Sequence, residues 1–210
     1  KIGRLNATEY KIALKDKKPV KLPPYQLVPP KLKILREQIN DLLENKIIQI
    51  SRSNYSSPCF LVPQKDKQRL VIDYRQLNSK IAIDSTPLPT IDSIFHYLGK
   101  AKYYTMIDLN KSYHQLPLHP DSIPLTAFST PWNLYEYLCI PFGLATGGQA
   151  LTAELDKLFS EIKYKFMVHY LDDICVYSET FEEHMEHLRI VFEILNKANL
   201  TVNPIKLKLA

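Results

Sequence analysis

The chain has 210 residues, of which 45% are hydrophobic and 23% charged, a composition typical of one globular domain or of two small subdomains sharing a core. No apolar run reaches the roughly 18 residues that a membrane-spanning helix needs, so no membrane partner is expected. The 27 lysines and arginines exceed the 22 aspartates and glutamates. A basic surface gains affinity for polyanions by releasing counterions, although charge alone identifies no partner.

The cysteines are an odd, scattered set, Cys59, Cys139 and Cys175, without CxxC spacing. This pattern predicts reduced thiols in an intracellular protein, with neither a zinc site nor a disulfide framework. The first residues also lack the apolar core of a signal peptide.

Prolines dominate the start of the chain. They predict an extended segment over residues 1–30, because proline lacks a backbone N–H and restricts the residue before it. Apolar residues at helical spacing then predict an amphipathic helix over residues 31–46. Two short strands follow, Cys59–Val62 and Arg69–Asp73, with a polar and basic hairpin tip between them.

The middle of the chain alternates short helices and strands. A short helix after Pro87 and Pro89 is predicted to use Ile91, Ile94, Phe95 and Leu98. Tyr103–Asp108 is rich in β-forming residues and predicts a buried strand that ends in a carboxylate. Two or three more strands are expected between Gln115 and Leu138. Another helix is marked by Leu151, Leu155, Leu158 and Phe159.

Two apolar runs near the end, Met167–Leu171 and Ile174–Tyr177, are separated only by Asp172-Asp173. This arrangement predicts a tight hairpin with carboxylates at its tip. A last helix is predicted over about residues 181–198, and a strand is expected after Asn203-Pro204. The mixture of hairpins and helices predicts an α+β fold with an antiparallel sheet.

Three carboxylates are candidates for a metal site. Adjacent aspartates are common in turns, so a solvated hairpin tip is the simpler interpretation of Asp172-Asp173. Their strongly apolar flanks count against it, and Asp108 also ends a strand predicted to be buried. Carboxylates brought together repel one another unless a cation neutralises them, and such oxygen ligands suit Mg²⁺. These residues by themselves leave both interpretations open.

A resemblance to a known family rests on several motifs that occur in the family's order. Tyr170-Leu171-Asp172-Asp173 resembles the YxDD signature of reverse transcriptases, and residues 106–115 (MIDLNKSYHQ) resemble their first catalytic motif. The other matches are Ser57-Pro58, residues 69–78 (RLVIDYRQLN), Pro87-Leu88-Pro89, Thr126-Ala127-Phe128 and Pro141-Phe142-Gly143-Leu144. The chain is identified as a member of the reverse transcriptase family, in the form of gypsy-type LTR retrotransposons.

This resemblance implies a polymerase right-hand fold of fingers and palm, with an antiparallel palm sheet packed on helices. Its implied parts are an N-terminal arm (1–30), fingers (31–83), palm with the first catalytic motif (84–119), a fingers and palm return (120–148) and palm with the YLDD hairpin (149–210). The family's thumb, connection and RNase H regions have no counterpart in these residues, which predicts a fragment of a longer protein.

The implied activity is RNA-directed DNA polymerisation, also on DNA templates, with two Mg²⁺ ions or with Mn²⁺. Expected partners are a primed RNA or DNA template, dNTPs and the remainder of a pol polyprotein with its thumb, RNase H and integrase. Cytoplasmic virus-like particles are the implied location. Two other classes stay open: a decayed or domesticated retroelement remnant that binds nucleic acid or protein, and a metal-dependent nuclease, which the YLDD hairpin does not suggest.

The family's catalytic residues can be carried over by position. Asp108, Asp172 and Asp173 match the metal-binding carboxylates, and the backbone of Leu109 would lie beside the second metal. Tyr113 matches the aromatic residue that closes over the sugar of the incoming nucleotide. Without the resemblance, a core tyrosine would be the preferred interpretation of Tyr113.

The nucleotide-binding residues implied by the resemblance are Arg69, Lys65, Phe142 and Gly143, with Lys67 as the rival of Lys65. Lys206 matches a palm lysine near the leaving pyrophosphate and is a candidate general acid, although a surface lysine is an alternative. Arg75 and Gln149 are candidates for template contact, and Asp73 and Arg75 are also expected to brace the fingers. A departure from the family pattern occurs at Gly147-Gly148, which is expected to loosen the start of a helix that supports the template.

Overall fold

A computed structural model of the chain describes residues 2–6, 9–64, 67–82, 94, 97–99 and 101–207. The chain divides into two units. The first unit comprises residues 8–84 and 116–147, and the second comprises residues 2–7, 85–115 and 148–210. Among the described residues, no helix combines the length and the apolar character that crossing a membrane requires.

The described strands, in chain order, are β1 (Ile48–Ile50), β2 (Ser57–Gln64), β3 (Lys67–Ile72), β4 (Tyr103–Asp108), β5 (Phe128–Ser129), β6 (Leu134–Tyr137), β7 (Met167–Tyr170) and β8 (Asp173–Ser178). The described α-helices are α1 (Pro29–Glu44), α2 (Arg75–Asn78), α3 (Gly147–Leu158) and α4 (Phe181–Lys197). Short 3-10 helices cover Ser112–Gln115 and Ile123–Thr126.

The sheet of the first unit has the strand order β1-β6-β5-β2-β3, with a parallel pairing only between β2 and β5 among these described strands. Helix α1 starts at two prolines, which suit a first turn because its N–H groups have no helical partner. Leu35, Ile39 and Leu42 form its buried stripe. The helix predicted over residues 31–46 is thus confirmed, although it starts at Pro29 and ends at Glu44.

The sheet of the second unit has the order β4-β8-β7, and both pairings are antiparallel. Ile107, Ile174 and Val176 lie in the core of this unit. Helix α4 packs on β8 and begins with a capping box, in which the Thr180 hydroxyl accepts from the Glu183 N–H. This sheet ends in aspartates, which makes it the scaffold of the candidate site.

Most of the predicted elements are confirmed, including the Tyr103–Asp108 strand and the hairpin around Asp172. The strand is only partly buried, however, because Thr105 and Ile107 face the core while Met106, on the other face, is exposed. The mixture of helices with mainly antiparallel strands confirms the α+β fold class. The strand expected after Asn203-Pro204 is not formed as far as Leu207, because the chain turns there at a proline that has no N–H to give a neighbouring strand. The predicted short helix that uses Ile91 and Phe95 lies mostly outside the described residues. All three cysteines are buried thiols that form no disulfide.

Candidate active site

The second unit places two of the predicted catalytic carboxylates opposite each other. Asp108 ends β4 and Asp173 begins β8, and the two residues are direct partners in the antiparallel ladder. Asp172 occupies the turn between β7 and β8, where Leu171 takes a positive φ of 53°. The N–H of Leu109 lies 3.4 Å from the Asp172 carbonyl oxygen. The hairpin therefore presents Asp172 and Asp173 at the strand end that carries Asp108.

The electrostatics at this strand end show that negative charge is concentrated there. Burial raises the pKa of Asp173, the carboxylates of Asp172 and Asp108 raise it further, and Lys206 lowers it. The Lys206 ammonium donates to Asp108 Oδ2 at 2.9 Å, and this bond raises the pKa of Lys206. The hydroxyl of Ser112 donates to Asp172 Oδ2 at 3.3 Å. Two of the three carboxylates thus have protein donors.

A divalent cation suits this donor set, because three hard carboxylates share one strand end, where the charges of Asp172 and Asp108 add to the effect of burial on the pKa of Asp173. Within the part of the chain that is described, however, no three His, Cys, Asp or Glu side chains are grouped so that they hold one ion together. The residue types and their positions along the strands suit a divalent ion. The side chains of Asp108 and Asp172, however, are oriented toward the hydrogen-bond donors Lys206 and Ser112.

Tyr113 lies in the 3-10 helix that follows Asp108, and its side chain is half-buried. Burial raises the pKa of its phenol, and the charge of Asp172 adds to that shift. Gly148 faces the same region from the first turn of α3. A Cβ at Gly148 would lie 3.2 Å from Leu171 Cδ2 and 3.7 Å from the Tyr113 hydroxyl oxygen. A side chain at Gly148 would therefore be tight only against Leu171 of the YLDD turn, since its distance to Tyr113 is that of an ordinary contact. Gln149 follows in the same helical turn.

The first unit holds the predicted nucleotide-binding residues other than Tyr113. Arg69 lies on β3, and its guanidinium carbon stands 4.5 Å from the centre of the Phe142 ring. An arginine over an aromatic face gains cation–π energy and is held in a defined place. Lys65 lies outside the described residues, while its rival Lys67 is exposed at the start of β3.

A glycine turn follows Phe142. Gly143 has a φ of 89°, a left-handed conformation that favours glycine. The side chain of Asn78 holds this turn, since its Nδ2 donates to the Gly143 carbonyl at 2.8 Å and its Oδ1 accepts from the Ala145 N–H at 2.9 Å. Asn78 therefore fixes the backbone next to Phe142.

Asp73 and Arg75 form a two-bond ion pair in the first unit. The Nε and Nη2 of Arg75 donate to the two carboxylate oxygens of Asp73 at 2.9 and 2.7 Å, and the Tyr25 hydroxyl donates to Oδ2 at 2.8 Å. The hydrogen bonds from Arg75 hold the pKa of Asp73 well below its usual range. The side chain of Asp73 is 7% exposed and that of Arg75 is 84% exposed. Asp73 is thus bonded to both Arg75 and Tyr25, and Arg75 still faces solvent.

Sequence reasoning gave no individual role to Ser112, Asn78, Gln115 or Tyr25, although three of them lie inside the quoted motifs. Each acts through a hydrogen bond to a residue distant in the chain or to a main-chain atom. Polar residues of this kind show no periodicity that would distinguish them from solvated ones.

Comparison with known proteins places the chain in a family. The sequence profile described as "Reverse transcriptase (RNA-dependent DNA polymerase)" matches residues 62–210. The chain therefore belongs to the reverse transcriptase family.

Relatives of the gypsy type confirm the narrower resemblance. The "Retrovirus-related Pol polyprotein from transposon opus" of Drosophila melanogaster is 39% identical over 175 residues, which is 80% of this chain and 17% of that protein. The corresponding polyprotein from transposon gypsy, of the same organism, is 36% identical over 176 residues, again 80% of this chain and 17% of the relative. The chain thus spans a small part of the relatives it matches.

Solved structures confirm the polymerase fold of fingers and palm. The foamy viral protease-reverse transcriptase in complex with an RNA/DNA hybrid matches with a TM-score of 0.92 and 27% identity, over 100% of this chain and 28% of that one. The native prototype foamy virus protease-reverse transcriptase matches with a TM-score of 0.91 and 28% identity, over 100% of this chain and 28% of that one.

Proposed function

We propose that this chain is the catalytic fingers-and-palm part of an RNA-directed DNA polymerase that also copies DNA. The observation that carries the proposal is the direct pairing of Asp108 with Asp173, with Asp172 in the adjoining turn. Like charges directly opposite each other on neighbouring strands are destabilising. A fold that keeps them there gains nothing in stability, so a role in binding cations explains the arrangement better than a solvated hairpin tip. Membership of the reverse transcriptase family supports the same conclusion.

Asp108 and Asp172 would be the main ligands of two divalent ions, Mg²⁺ or Mn²⁺, with the backbone of Leu109 beside the second ion. Asp173 would act more through its charge. When bound, such ions activate the attacking hydroxyl and stabilise the leaving oxygen of a phosphoryl transfer. Family membership and the donor chemistry support this assignment.

In the reaction, the 3′-hydroxyl of the primer gives its proton to water and its oxygen forms a bond to the α-phosphorus of the dNTP, while the bond from that phosphorus to the bridging oxygen of pyrophosphate breaks. The leaving oxygen needs a proton. Lys206 is the candidate donor, because its ammonium group donates to Asp108 Oδ2 at 2.9 Å and a lysine is ordinarily protonated at neutral pH. Tyr113 would contact the sugar of the nucleotide from the 3-10 helix next to Asp108.

The first unit would supply the residues that hold the triphosphate. Arginine suits this task because its planar fork donates two bonds to phosphate oxygens. Arg69 would make that contact, with Lys65 or Lys67 as its partner, and Phe142 and Gly143 would pack under the nucleotide. The exposed guanidinium of Arg75 and the side chain of Gln149 are proposed to contact the template. The predicted boundaries of fingers and palm are part of this proposal.

The proposed partners are a primed RNA or DNA template and the remaining parts of a pol polyprotein, including thumb, RNase H and integrase. Two observations support them: one similar solved structure is a complex with an RNA/DNA hybrid, and another is a complex with double-stranded DNA. The similar curated proteins are Pol polyproteins. Cytoplasmic virus-like particles are the proposed location.

Primer extension on an RNA template with Mg²⁺ tests this function. We expect template-directed addition of dNTPs by the 210-residue chain at low salt, and loss of that addition when a chelator removes the ion. Asp108→Asn is the matched inactive variant. If the chain binds primer–template but adds no nucleotide with either Mg²⁺ or Mn²⁺, the polymerase assignment is wrong.

A further inference from the structure

Gln115 is fully buried in the second unit, and its amide group joins two separate segments. Its Nε2 donates to the carbonyls of Asn110 and Thr201 at 2.8 and 2.9 Å. Its Oε1 accepts from the Thr201 N–H at 2.7 Å. Both amide hydrogens and the amide oxygen are therefore used, and they tie the turn after Asp108 to the residues around Thr201.

The segment around Thr201 leads directly to Lys206. The Asn110 N–H donates to the Thr201 carbonyl at 2.9 Å, and the Asn203 N–H donates to the Asp108 carbonyl at 2.8 Å. The Lys206 N–H in turn lies 3.2 Å from the Asn203 carbonyl. The backbone that carries the Lys206 ammonium is thus fastened to the residue that the ammonium contacts.

The N-terminal segment, residues 2–6, also bonds to Gln115 and Thr201. The Leu5 N–H donates to the Gln115 carbonyl at 2.7 Å, and the Gly3 N–H donates to the Thr201 hydroxyl at 3.1 Å. A Cβ at Gly3 would lie 2.4 Å from the Asn199 carbonyl oxygen and 2.6 Å from Gln115 Oε1. Such distances are too short for any side chain, so only glycine allows this close approach.

We propose that Gln115 is a positioning residue that holds Lys206 at Asp108, and that residues 2–6 contribute to this positioning through Gly3. The inference rests on the proposed role of Lys206 in the reaction. The side chain of Lys206 is 63% exposed whereas that of Asp108 is 16% exposed, and one ion pair with so exposed a partner contributes little to holding the lysine in place. The buried amide and its backbone bonds supply the missing constraint.

Amide hydrogen exchange of the metal-free chain tests the positioning directly. Gln115→Glu keeps the shape and the acceptor but places an oxygen against two carbonyls. We expect the Asn110, Thr201 and Asn203 amides to exchange at least about tenfold faster, while those of β8 and α4 keep the parental rate. Parental exchange at all three amides would overturn the proposal.

A second variant tests the positioning in a chain that keeps Gln115. Gly3→Ala disturbs the junction from the N-terminal side, and Gly99→Ala is its matched control, because a Cβ at Gly99 meets nothing within 4 Å. We expect faster exchange at Thr201 and Asn203 only in Gly3→Ala. If the exchange rates of these amides are the same in the two glycine variants, residues 2–6 have no part in positioning Lys206.

Single-turnover extension then measures the functional consequence. A small misplacement of a reacting group costs about tenfold to a hundredfold in rate. We expect such a fall for Gln115→Glu with the KM for dNTP unchanged within about twofold, and no further fall when Lys206→Ala is added, since coupled residues are not additive. If the two substitutions lower the rate additively, Gln115 acts independently of Lys206 and is only a structural residue. If Lys206→Ala is fully active while exchange at the three amides is faster, the positioning stands and the proposed role of Lys206 fails.

Discussion

Asp108 and Asp173 are direct partners in the ladder between β4 and β8, so the ends of these two strands that carry carboxylates lie side by side. Burial raises the pKa of Asp173, and the negative charges of Asp172 and Asp108 raise it further. Lys206 offsets part of that charge through Asp108. The chain thus keeps three carboxylates together at one end of the β4-β8-β7 sheet, an arrangement that costs electrostatic energy.

Replacing Asp172 by Asn should lower the rate of primer extension by at least about a thousandfold, because an ion that stabilises the transition state contributes several kcal/mol. The fold should be retained, since the substitution removes negative charge from a crowded site and opens no cavity. Extension rate and circular dichroism check both points. Glu161→Gln, an exposed carboxylate of the same unit, is the control and should be fully active. Retained activity of the Asp172 variant would mean that the site is wrongly assigned.

Shortening Tyr113 to Val should admit ribonucleotides. A deoxyribose fits against the ring, whereas a 2′-hydroxyl would occupy the same space, and overlap is costly in a close-packed site. The measurement is the ratio of kcat/KM for deoxy- and ribonucleotides, which we expect to fall by more than about tenfold, or about 1.4 kcal/mol. Tyr113→Phe keeps the ring and should keep the ratio. A ratio within about twofold of the parent in Tyr113→Val would make Tyr113 a core residue only.

Arg69→Ala should raise the KM for dNTP by about tenfold or more, because a charge-assisted contact with phosphate contributes on the order of 1.5–3 kcal/mol. The chain offers a matched control in Arg36, whose guanidinium carbon also lies 4.5 Å from the centre of an aromatic ring, that of Trp132. Arg36→Ala loses the same kind of ring contact and should leave the KM unchanged. Steady-state extension at varied dNTP concentration distinguishes the two variants. If Arg69→Ala and Arg36→Ala raise the KM for dNTP equally, the loss of a ring contact explains the effect and Arg69 does not bind the triphosphate.

Asp73→Asn should destabilise the fold at neutral pH and much less in acid. The pKa of Asp73 is lower in the folded chain than in the unfolded one, chiefly because of Arg75, so its stabilising effect is present above the unfolded value of about 4. That effect is lost as the pH falls through the folded pKa. Urea unfolding of parent and variant at neutral pH and near pH 2 measures the difference.

Asp121→Asn provides the contrast for that measurement, because Asp121 pairs with Lys11 while both side chains are about two-thirds exposed, at 66% and 64%. Exposed pairs contribute little, so this variant should match the parent at both pH values. A loss of stability in Asp73→Asn that is the same at neutral pH and near pH 2 would show that shape, not charge, matters at that position.

The local elements and the candidate carboxylates could be predicted from the sequence. Helix α1, strand β4 and the YLDD hairpin follow from periodicity and turn composition, which depend on neighbouring residues only. The amino-acid sequence of the motifs around Asp108 and Asp172 was enough to indicate the family. Helix and strand ends differed by a residue or two, since capping and pairing decide them.

Only the tertiary structure decided how these pieces meet. The register that pairs Asp108 with Asp173 and the contact of Lys206 with Asp108, 98 residues apart, depend on packing between strands and segments. Gly3, Gln115 and Thr201 meet across separations of up to 198 residues through bonds that leave no pattern in the sequence. Side-chain periodicity is a local property, whereas a hydrogen bond between distant segments exists only after the core has brought them together.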